Sequence, residues 1–499
     1  MISIADFSIR RRSLRPLGTG LATSQAIATL FIWHSNQHLR LANEALQQAG
    51  WLALPAGPAA IKLGTLAAAF WGGLFYTLSI GIGLILTTWA LLYLWQRLLP
   101  AKPRWLWIAA GLWLILAITV NLKGWVLYPT LFIIFTPLAT ALAALRRGPD
   151  TDDTQTGRLW PIPGLTLVLL TLLWTTQFTP QMFITIRDHL LLSNPVGMSV
   201  NNFYYRYTLY AAQAFKSFNQ KEARPCLLNS SKEDAGTPRW IQTLANADVL
   251  AVADSQAADV IIALSPDQLS LTSPHGERVT TKPREFLADP AKWLLQFSQK
   301  SDRYAPFRRL TFVGLLVGFP VLLFVLVDGL IGRLAGLFAK GRALVAIRAA
   351  LCMGIGILLF IPIWTGRPVK IQKDQIAAAL STADWPRRVA ALRLMEEQKI
   401  DIADYPQCRA LAQSPRVVER YYAARVMAFS RSPETFDLLL AMLRDPHPNV
   451  VCQAYYALGE RHDPKAIAAI QSQMLQSDHW YTQWYAYRAL KRLGWRQTR

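Results

Sequence analysis

The stretch Asp445–Leu475, DPHPNVVCQAYYALGERHDPKAIAAIQSQML, decides how the C-terminal part of the chain folds. Its apolar residues recur at the spacing of two short amphipathic helices, and an Asp-Pro pair precedes each of them. A helix pair of this size cannot bury its own apolar face and needs a neighbour. The stretch therefore predicts a stack of helix pairs.

Similar segments recur at intervals of about thirty residues, which is a period typical of helical solenoids. They begin at Trp385 (WPRRVAALRLM), Ser414 (SPRVVERYYAARVMA) and Asp478 (DHWYTQWYAYRALKRLG). The Val-Val pair that starts at Val417 corresponds to the pair that starts at Val450. This self-similarity predicts an α-solenoid.

The units resemble the HEAT-repeat family, whose short units carry an Asp-Pro turn, a Val-Val pair and an Ala-Leu-Gly ending. The segment DPHPNVVCQAYYALG has all three features, and the resemblance covers about the last quarter of the chain. In the last unit Trp480, Trp484 and Tyr485 replace small or branched residues, as a terminal cap would. The resemblance implies a protein-binding or packing scaffold, and it implies nothing about the rest of the chain.

We expect the repeats to bind one or more protein partners. Seven side chains of the repeats are candidates for the protein-binding surface: Arg420, Tyr421, Gln453, Tyr456, Trp480, Trp484 and Tyr487.

The composition is that of a membrane protein with soluble parts, since 52% of the 499 residues are hydrophobic and only 17% are charged. Much of the Lys and Arg behind the net charge of +21 lies beside hydrophobic runs, where these residues meet anionic lipid. We therefore expect membrane lipids as partners and no nucleic acid. The four cysteines lie far apart with no CxxC pair, so the sequence specifies neither a zinc site nor a disulfide framework.

Six apolar runs are long enough to cross a hydrocarbon core about 30 Å thick. They are Leu63–Trp95, Trp105–Leu122, Trp125–Leu145, the run from Pro161 to Ile186, Leu310–Leu330 and Ala343–Trp364. A seventh segment, Leu17–His34, follows the basic stretch RRRSLR and predicts another span; the alternative is an amphipathic helix on the membrane surface.

The predicted fold class is a multi-pass α-helical membrane protein with a small α/β soluble domain and a C-terminal HEAT-like α-solenoid. The predicted boundaries are 1–62, 63–186, 187–309, 310–365 and 366–499.

Basic residues in the short loops predict the orientation. One face has Arg97, Lys102, Arg104, Arg146, Arg147, Arg158, Arg333, Lys340, Arg342 and Arg348, and its opposite short loop has only Lys123. Other basic residues crowd the opposite face: Arg303, Arg308, Arg309, Arg367, Lys370 and Lys373. Two spans separate the two soluble parts, which must therefore share one side. We expect that side to be extracytoplasmic in a bacterial plasma membrane.

The region after Arg187 predicts a small α/β domain. Ala247–Asp254 and Ala258–Thr281 are rich in strand-forming residues, with a turn near His275, and helical segments flank them. The segment NNFYYRYTLYAAQAFKSF, which starts at Asn201, predicts an amphipathic helix suited to a membrane interface. Asp254, Asp259 and His275 are better explained as turn residues than as an acid/base pair or a metal ligand.

The candidate functions differ in what they require of the predicted membrane-spanning helices. A transporter needs ionisable groups at membrane depth, and the only carboxylate in the six runs is Asp328, five residues from Arg333, where it can pair or reach water. The pattern favours a membrane scaffold or complex subunit that presents the solenoid and the α/β domain on one face. A transporter subunit or a sensor that binds a small ligand through the α/β domain is the alternative. No cofactor is predicted, and no catalytic residue stands out.

Overall fold

The computed structural model describes residues 4–98, 104–145, 161–177, 182–229, 237–365 and 371–497. These residues form a helical bundle, a small sheet covered by helices and a C-terminal stack of helix pairs. Several basic residues used above to predict orientation lie outside the described residues: Lys102, Arg146, Arg147, Arg158, Arg367 and Lys370.

The first part of the chain is helical. Its helices are α1 (Ile4–Gln48), α2 (Gly57–Ile61), α3 (Leu66–Tyr76), α4 (Ile82–Leu98), α5 (Arg104–Val120), α6 (Leu127–Leu145), α7 (Pro161–Thr175) and α8 (Met182–Ile186). A π-helical turn, Thr77–Gly81, joins α3 to α4 without a break, and a second one, Arg187–Leu191, follows α8.

Helix α1 is the centre of the bundle, where it packs against α3 and α6. It runs antiparallel to α6, because Gly20 lies against Thr140 at one end and Phe31 stacks on Tyr128 at the other, 5.1 Å between ring centroids. The segment Leu17–His34 thus extends over the same length as α6.

Helix α9 (Pro195–Phe215) precedes the sheet. Pro195 occupies its first turn, and the side chain of Asn194 accepts a hydrogen bond from the backbone N–H of Gly197 over 2.8 Å, which caps the helix. The helix packs on α3, α1 and the C-terminal repeats, and it belongs to the bundle more than to the sheet.

The α/β unit contains five strands in the order β2-β1-β3-β4-β5. The strands are β1 (Arg224–Asn229), β2 (Val249–Val252), β3 (Val260–Leu264), β4 (Leu269–Thr272) and β5 (Arg278–Thr281), and the helices are α10 (Thr237–Asn246), α11 (Pro283–Ala288) and α12 (Pro290–Ser301). β1 is parallel to β2 and β3, and the remaining pairs are antiparallel. The predicted strands and the turn near His275 are confirmed; β1 was not predicted.

All four residues of β2 are buried, because both faces of the sheet are covered. Val249 and Ala251 pack in one cluster with α12, whereas Leu250 and Val252 pack against Leu46 at the end of α1. The α/β unit is therefore fixed to the end of the longest bundle helix.

Three helices return to the bundle: α13 (Ala305–Val313), α14 (Phe319–Ala335) and α15 (Gly341–Thr365). A third π-helical turn, Gly314–Gly318, joins α13 to α14 and packs against the turn Thr77–Gly81.

Four of the described helical segments are long and apolar enough to cross a membrane: Leu66–Leu92, Leu127–Ala144, Ala305–Ala335 and Gly341–Ile361. Two shorter apolar helices, Ala110–Val120 and Gly164–Thr175, coincide with the remaining predicted runs. Exposed leucine, isoleucine and phenylalanine side chains cover the outside of these helices. Four of the six predicted spans thus agree in length and composition with membrane-crossing helices, the other two coincide with shorter apolar helices, and insertion into a membrane stays a prediction.

The C-terminal part is a stack of helix pairs. Its helices are α16 (Ile376–Leu380), α17 (Trp385–Gln398), α18 (Cys408–Ala412), α19 (Val417–Met427), α20 (Pro433–Met442), α21 (Pro448–Glu460), α22 (Ala466–Gln476) and α23 (Trp480–Arg492). We number the repeat units one to four by their inner helices α17, α19, α21 and α23, which pack side by side in that order, with α18, α20 and α22 on the outside. One continuous apolar cluster runs through all four units.

Candidate functional site: the docked solenoid

The inner helices carry most of the polar side chains by which the solenoid contacts the rest of the chain. Buried Arg–carboxylate pairs connect successive units, as between Arg388 of unit one and Glu419 of unit two, whose Nε and Oε1 are 2.8 Å apart. Such pairs fix the geometry between units, because a charged partner left alone in this interior would be costly.

Unit two is bound to the end of the bundle by a four-residue polar cluster. The guanidinium of Arg187 donates to the hydroxyls of Tyr421 (2.6 Å) and Tyr422 (3.1 Å). The hydroxyl of Tyr422 donates in turn to Asp188, over 2.8 Å, and Asp188 is buried. Burial raises the pKa of Tyr422, so its hydroxyl keeps the proton that it donates.

Two buried glutamines bind the connection between α1 and α2. Gln483 accepts from the backbone N–H of Ala56 (2.9 Å) and donates to the carbonyl of the same residue (3.0 Å). Gln497 does the same with Leu52, at 2.9 and 3.2 Å. Each amide therefore pairs with the backbone of an irregular segment as a neighbouring strand would, and satisfies polar groups that burial would otherwise leave unpaired.

Helix α9 lies against units three and four. The buried side chains of Asn201 and Asn449 are hydrogen-bonded over 2.6 Å. Tyr205 packs on Tyr481 with 4.5 Å between ring centroids, and Tyr210 meets the edge of Trp480 at 5.2 Å. The aromatic residues of the last unit therefore dock on α9 and do not simply cap the stack.

Unit four also contacts the α/β domain. The hydroxyl of Tyr487 donates to Asp248 over 2.6 Å, and the ammonium of Lys491 is 2.8 Å from the same carboxylate oxygen. Asp248 has a left-handed backbone (φ 56°) in the tight turn before β2. The indole N–H of Trp484 donates to Glu222 in the segment before β1. The two soluble parts thus pack on each other.

The seven candidate side chains divide by exposure. Five of them are buried within the chain: Arg420, Tyr421, Gln453, Trp480 and Tyr487. Arg420 binds Asp445 with 2.7 and 3.1 Å contacts, and Gln453 accepts from Arg425 over 3.2 Å. These five side chains make their contacts within the chain.

Tyr456 and Trp484 remain half-buried, on an open strip of the inner helices. The ring of Tyr456 lies between the guanidiniums of Arg425 and Arg492, at 5.3 and 5.0 Å from its centroid. The guanidinium of Arg488 covers the ring of Trp484 at 4.7 Å. A role of any of these side chains in binding another protein stays a prediction.

Sequence reasoning singled out Tyr421, Trp480 and Tyr487, which dock within the chain, but it missed the buried amides that dock beside them. Asn449 and Gln483 stand where the repeat pattern buries a side chain, and a polar residue at such a position is a signal that it has a partner. Their partners Asn201 and Ala56 are distant in the chain, so no local pattern could identify them.

Asp328 pairs with Arg348 of α15. Its spacing from Arg333 had suggested either a pair with Arg333 or contact with water. The Nε of Arg348 is 3.0 Å from Oδ1 of Asp328, and the Sγ of Cys352 is 3.9 Å from the same oxygen. Arg333 is exposed. The pair holds α14 against α15 near the loop between them.

The polar residues of the α/β domain occupy turns. Asp254 accepts from the backbone N–H of Gln256 over 2.8 Å, and Asp259 pairs with Lys221 at 2.5 Å. The backbone N–H of His275 donates to the hydroxyl of Ser273 in the β4–β5 turn. Within the described part of the chain, no group of three or more His, Cys, Asp or Glu side chains could hold a metal ion.

Comparison with known proteins agrees with this architecture in the C-terminal part. A family model described as HEAT repeats matches residues 406–494, which extend from α18 through α23. The C-terminal part of the chain thus carries HEAT repeats, and repeats of this class commonly mediate protein–protein interactions. No curated protein and no solved structure matches the chain.

Proposed function

We propose that the protein is an integral membrane scaffold, or a subunit of a membrane complex, that holds a HEAT-repeat platform rigidly above a helical bundle and presents it to a protein partner. The observation that carries this proposal is the docking of the solenoid. Buried polar contacts bind units two, three and four to the bundle, α9 and the α/β domain. A solenoid held in this way has a fixed position relative to the membrane.

The open strip of the inner helices is the proposed contact surface. It combines Tyr456 and Trp484 with the guanidiniums of Arg425, Arg488 and Arg492. Aromatic and arginine side chains are the types that dominate binding energy at protein interfaces. Arg425 and Arg492 have carboxylate partners, whereas Arg488 has no ion pair among the described residues. The strip is suited to a partner segment that carries acidic residues.

The experiment compares affinity purifications from native membranes after chemical cross-linking. Arg488→Glu reverses the charge over Trp484, and Arg444→Glu makes the same change at an exposed position beyond the outer helix α20. We expect a partner that is recovered with the unaltered protein and with Arg444→Glu but lost with Arg488→Glu. If Arg488→Glu recovers the same proteins, the strip is not the contact surface.

The bundle is the proposed membrane anchor, with lipids around its apolar outer face. In the structure the soluble parts lie at one end of the bundle, and the loop between α14 and α15, with Lys340 and Arg342, lies at the other. This distribution of basic residues supports the proposal that the soluble parts lie outside the cytoplasm of a bacterial cell. A transporter subunit or a ligand sensor is the second candidate, and the paired π-helical turns of two long apolar helices favour it, because such turns are frequent at functional sites.

A further inference from the structure

A cleft of about 440 Å³ lies between α9 and repeat units three and four. Asn202 and Arg206 of α9 form one wall, and Tyr455, His479 and Thr482 of the repeats belong to the other. The cleft is open to solvent, so a ligand group can enter it without a change of the backbone.

The charged group at this cleft that has no ion pair among the described residues is positive. Of the two carboxylates in the lining, Asp445 is bound by Arg420 at 2.7 Å and Asp478 by Lys62 at 2.5 Å. The guanidinium of Arg206 is exposed and has no ion pair among the described residues. An anionic group is therefore the ligand that this electrostatic arrangement favours.

His479 does not add to this charge at neutral pH. Burial, and to a smaller extent the nearby guanidinium of Arg206, lowers the pKa of His479 to about 4, so the imidazole is neutral. The ring stands at the N-cap of α23, where the helix end also favours negative charge.

The cleft lies level with the end of the bundle. Lys62, which reaches Asp478 in the lining, precedes the apolar segment that begins at Leu66 by four residues. On the other side, Phe203 of α9 meets the ring edge of Trp71 with 5.5 Å between centroids. If Leu66–Leu92 spans the membrane, the cleft opens at the depth of the lipid headgroups.

Helix α9 extends beyond the bundle with its apolar face uncovered. In its C-terminal half that face is buried on α3, with Tyr210 3% and Ala211 0% exposed. In its N-terminal half the continuation of the same face has Val196 75% and Val200 55% exposed. Ile61 and Leu66 are exposed nearby on the bundle. An amphipathic helix in this position lies in a membrane interface.

We propose that the cleft binds the phosphate group of a membrane phospholipid through Arg206, with the acyl chains beside the exposed apolar face of α9. The planar guanidinium suits phosphate because it can donate two parallel hydrogen bonds to it. The inference rests on the proposed membrane anchor and adds to it a specific lipid site between the anchor and the solenoid.

The test titrates detergent-solubilised full-length protein with a phosphatidylglycerol and follows bound lipid by native mass spectrometry. Arg206→Ala removes the phosphate ligand, and Arg239→Ala removes an exposed arginine of α10 as the matched control. We expect at least tenfold weaker binding for Arg206→Ala, an intermediate loss for Arg206→Lys, and no change for Arg239→Ala. Equal binding by Arg206→Ala and Arg239→Ala would overturn the proposal.

Inorganic phosphate serves as the second probe, since a free anion has the same chemistry as a headgroup. If phosphate binds in an Arg206-dependent way and the lipid does not, the lipid assignment is wrong. If Arg206→Ala proves unstable, Arg206→Lys and Arg206→Gln, which keep a long polar side chain, decide the question: unchanged lipid affinity in both overturns it. Carbonate extraction of membranes tests the anchor separately, because a protein that resists extraction but lacks the lipid site refutes only the present inference.

Discussion

Gln483 shows how one buried side chain joins segments that are far apart in the chain. It is 0% exposed, and its amide serves the backbone of Ala56 as well as the carbonyls of Met474 and Ser477, at 3.1 and 2.9 Å. Its NH2 group donates and its carbonyl oxygen accepts, so neither end of the buried amide lacks a partner, and a buried amide satisfied in this way stabilises a fold.

Replacing Gln483 by Met should lower the free energy of unfolding by about 2–3 kcal/mol. The substitution keeps the volume but leaves the N–H and carbonyl of Ala56 buried without partners. Gln476→Met is the control, because Gln476 is exposed. Denaturant titration of the solubilised protein, followed by tryptophan fluorescence, measures both variants. Equal stability of the two would contradict the role given to Gln483.

His479 should make the stability of the docked solenoid depend on pH. Its pKa of about 4 in the folded protein lies below the value of 6.5 in the unfolded chain, so the unfolded state binds the proton more readily as the pH falls. Its contribution to stability is complete above pH 6.5 and is lost towards pH 4. We expect a loss of about 2 kcal/mol between pH 7.5 and 5.

Thermal unfolding at these two pH values checks this expectation against His479→Gln, which cannot titrate. The variant should lose less stability on acidification than the unaltered protein. His447, at the N-cap of α21, also has a lowered pKa because of burial, so part of the pH dependence should remain. An identical pH response in both proteins would count against the assignment to His479.

At the scale of elements, two π-helical turns meet inside the bundle. The turn Gly314–Gly318 packs on the turn Thr77–Gly81, and the helices approach so closely that a Cβ on Gly314 would lie 2.6 Å from the carbonyl oxygen of Ser79. Small residues permit this close approach between apolar helices. In a membrane, which is their proposed environment, the association of such helices could not rely on the hydrophobic effect.

Gly314→Ala should therefore destabilise the bundle by about 1–3 kcal/mol, because the backbone of Ser79 must move to admit the methyl group. Gly329→Ala in α14 is the matched control: a Cβ there meets nothing within 4 Å, and alanine is the better helix former. The two variants are compared by the fraction of each that stays monodisperse after heating in detergent. The packing model fails if Gly314→Ala survives heating as well as Gly329→Ala.

The sequence of helix α1 by itself does not show whether the helix lies inside the bundle or on a surface. Thr, Ser and Gln interrupt its apolar run, which left a surface helix open as an alternative. In the structure α3 and α6 cover this segment of α1, so that Ala28 and Ile32 are 0% exposed. Neighbouring segments also supply partners for polar side chains of α1. Gln25, for example, accepts a hydrogen bond from Thr77 over 2.8 Å.

At the scale of the whole molecule, the bundle, the α/β domain and the solenoid are joined into one body at one end of the bundle. Trp51, directly after α1, donates to the carbonyl of Ala251 in β2 over 2.9 Å, and Tyr487 of the last repeat reaches Asp248 just before that strand. Strand β2 thus connects all three parts.

This arrangement predicts the accessibility of single cysteines in cells. With the proposed extracytoplasmic orientation, Ser255→Cys in the α/β domain and Ser472→Cys in α22 should both react with a membrane-impermeant maleimide from outside, whereas Lys340→Cys should react only after permeabilisation. All three positions are exposed. The native cysteines should react little, because all four are buried and burial raises the pKa of Cys408 to about 11. Labelling of Ser255→Cys and Ser472→Cys from opposite sides would refute the arrangement.

Much of the architecture follows from local patterns. The solenoid could be predicted from its period, the apolar helices from their length, and strands β2 to β5 from their β-branched residues and turns. Strand β1, RPCLLN, was missed because it is short and its neighbours in the sheet lie later in the chain. Of the predicted surface, only Tyr456 and Trp484 remain partly accessible, since the solenoid uses the other positions within the chain.

The sequence by itself determined which segments are helical, where the repeats begin and which segments could enter a membrane, because each of these depends on the spacing of apolar residues along a few turns. Only the tertiary structure decided which face of the solenoid is occupied. That choice depends on pairs such as Asn201 with Asn449 and Arg187 with Tyr421, whose members are separated by more than two hundred residues. Burial makes such pairs specific, since an unpaired amide or guanidinium there would destabilise the fold.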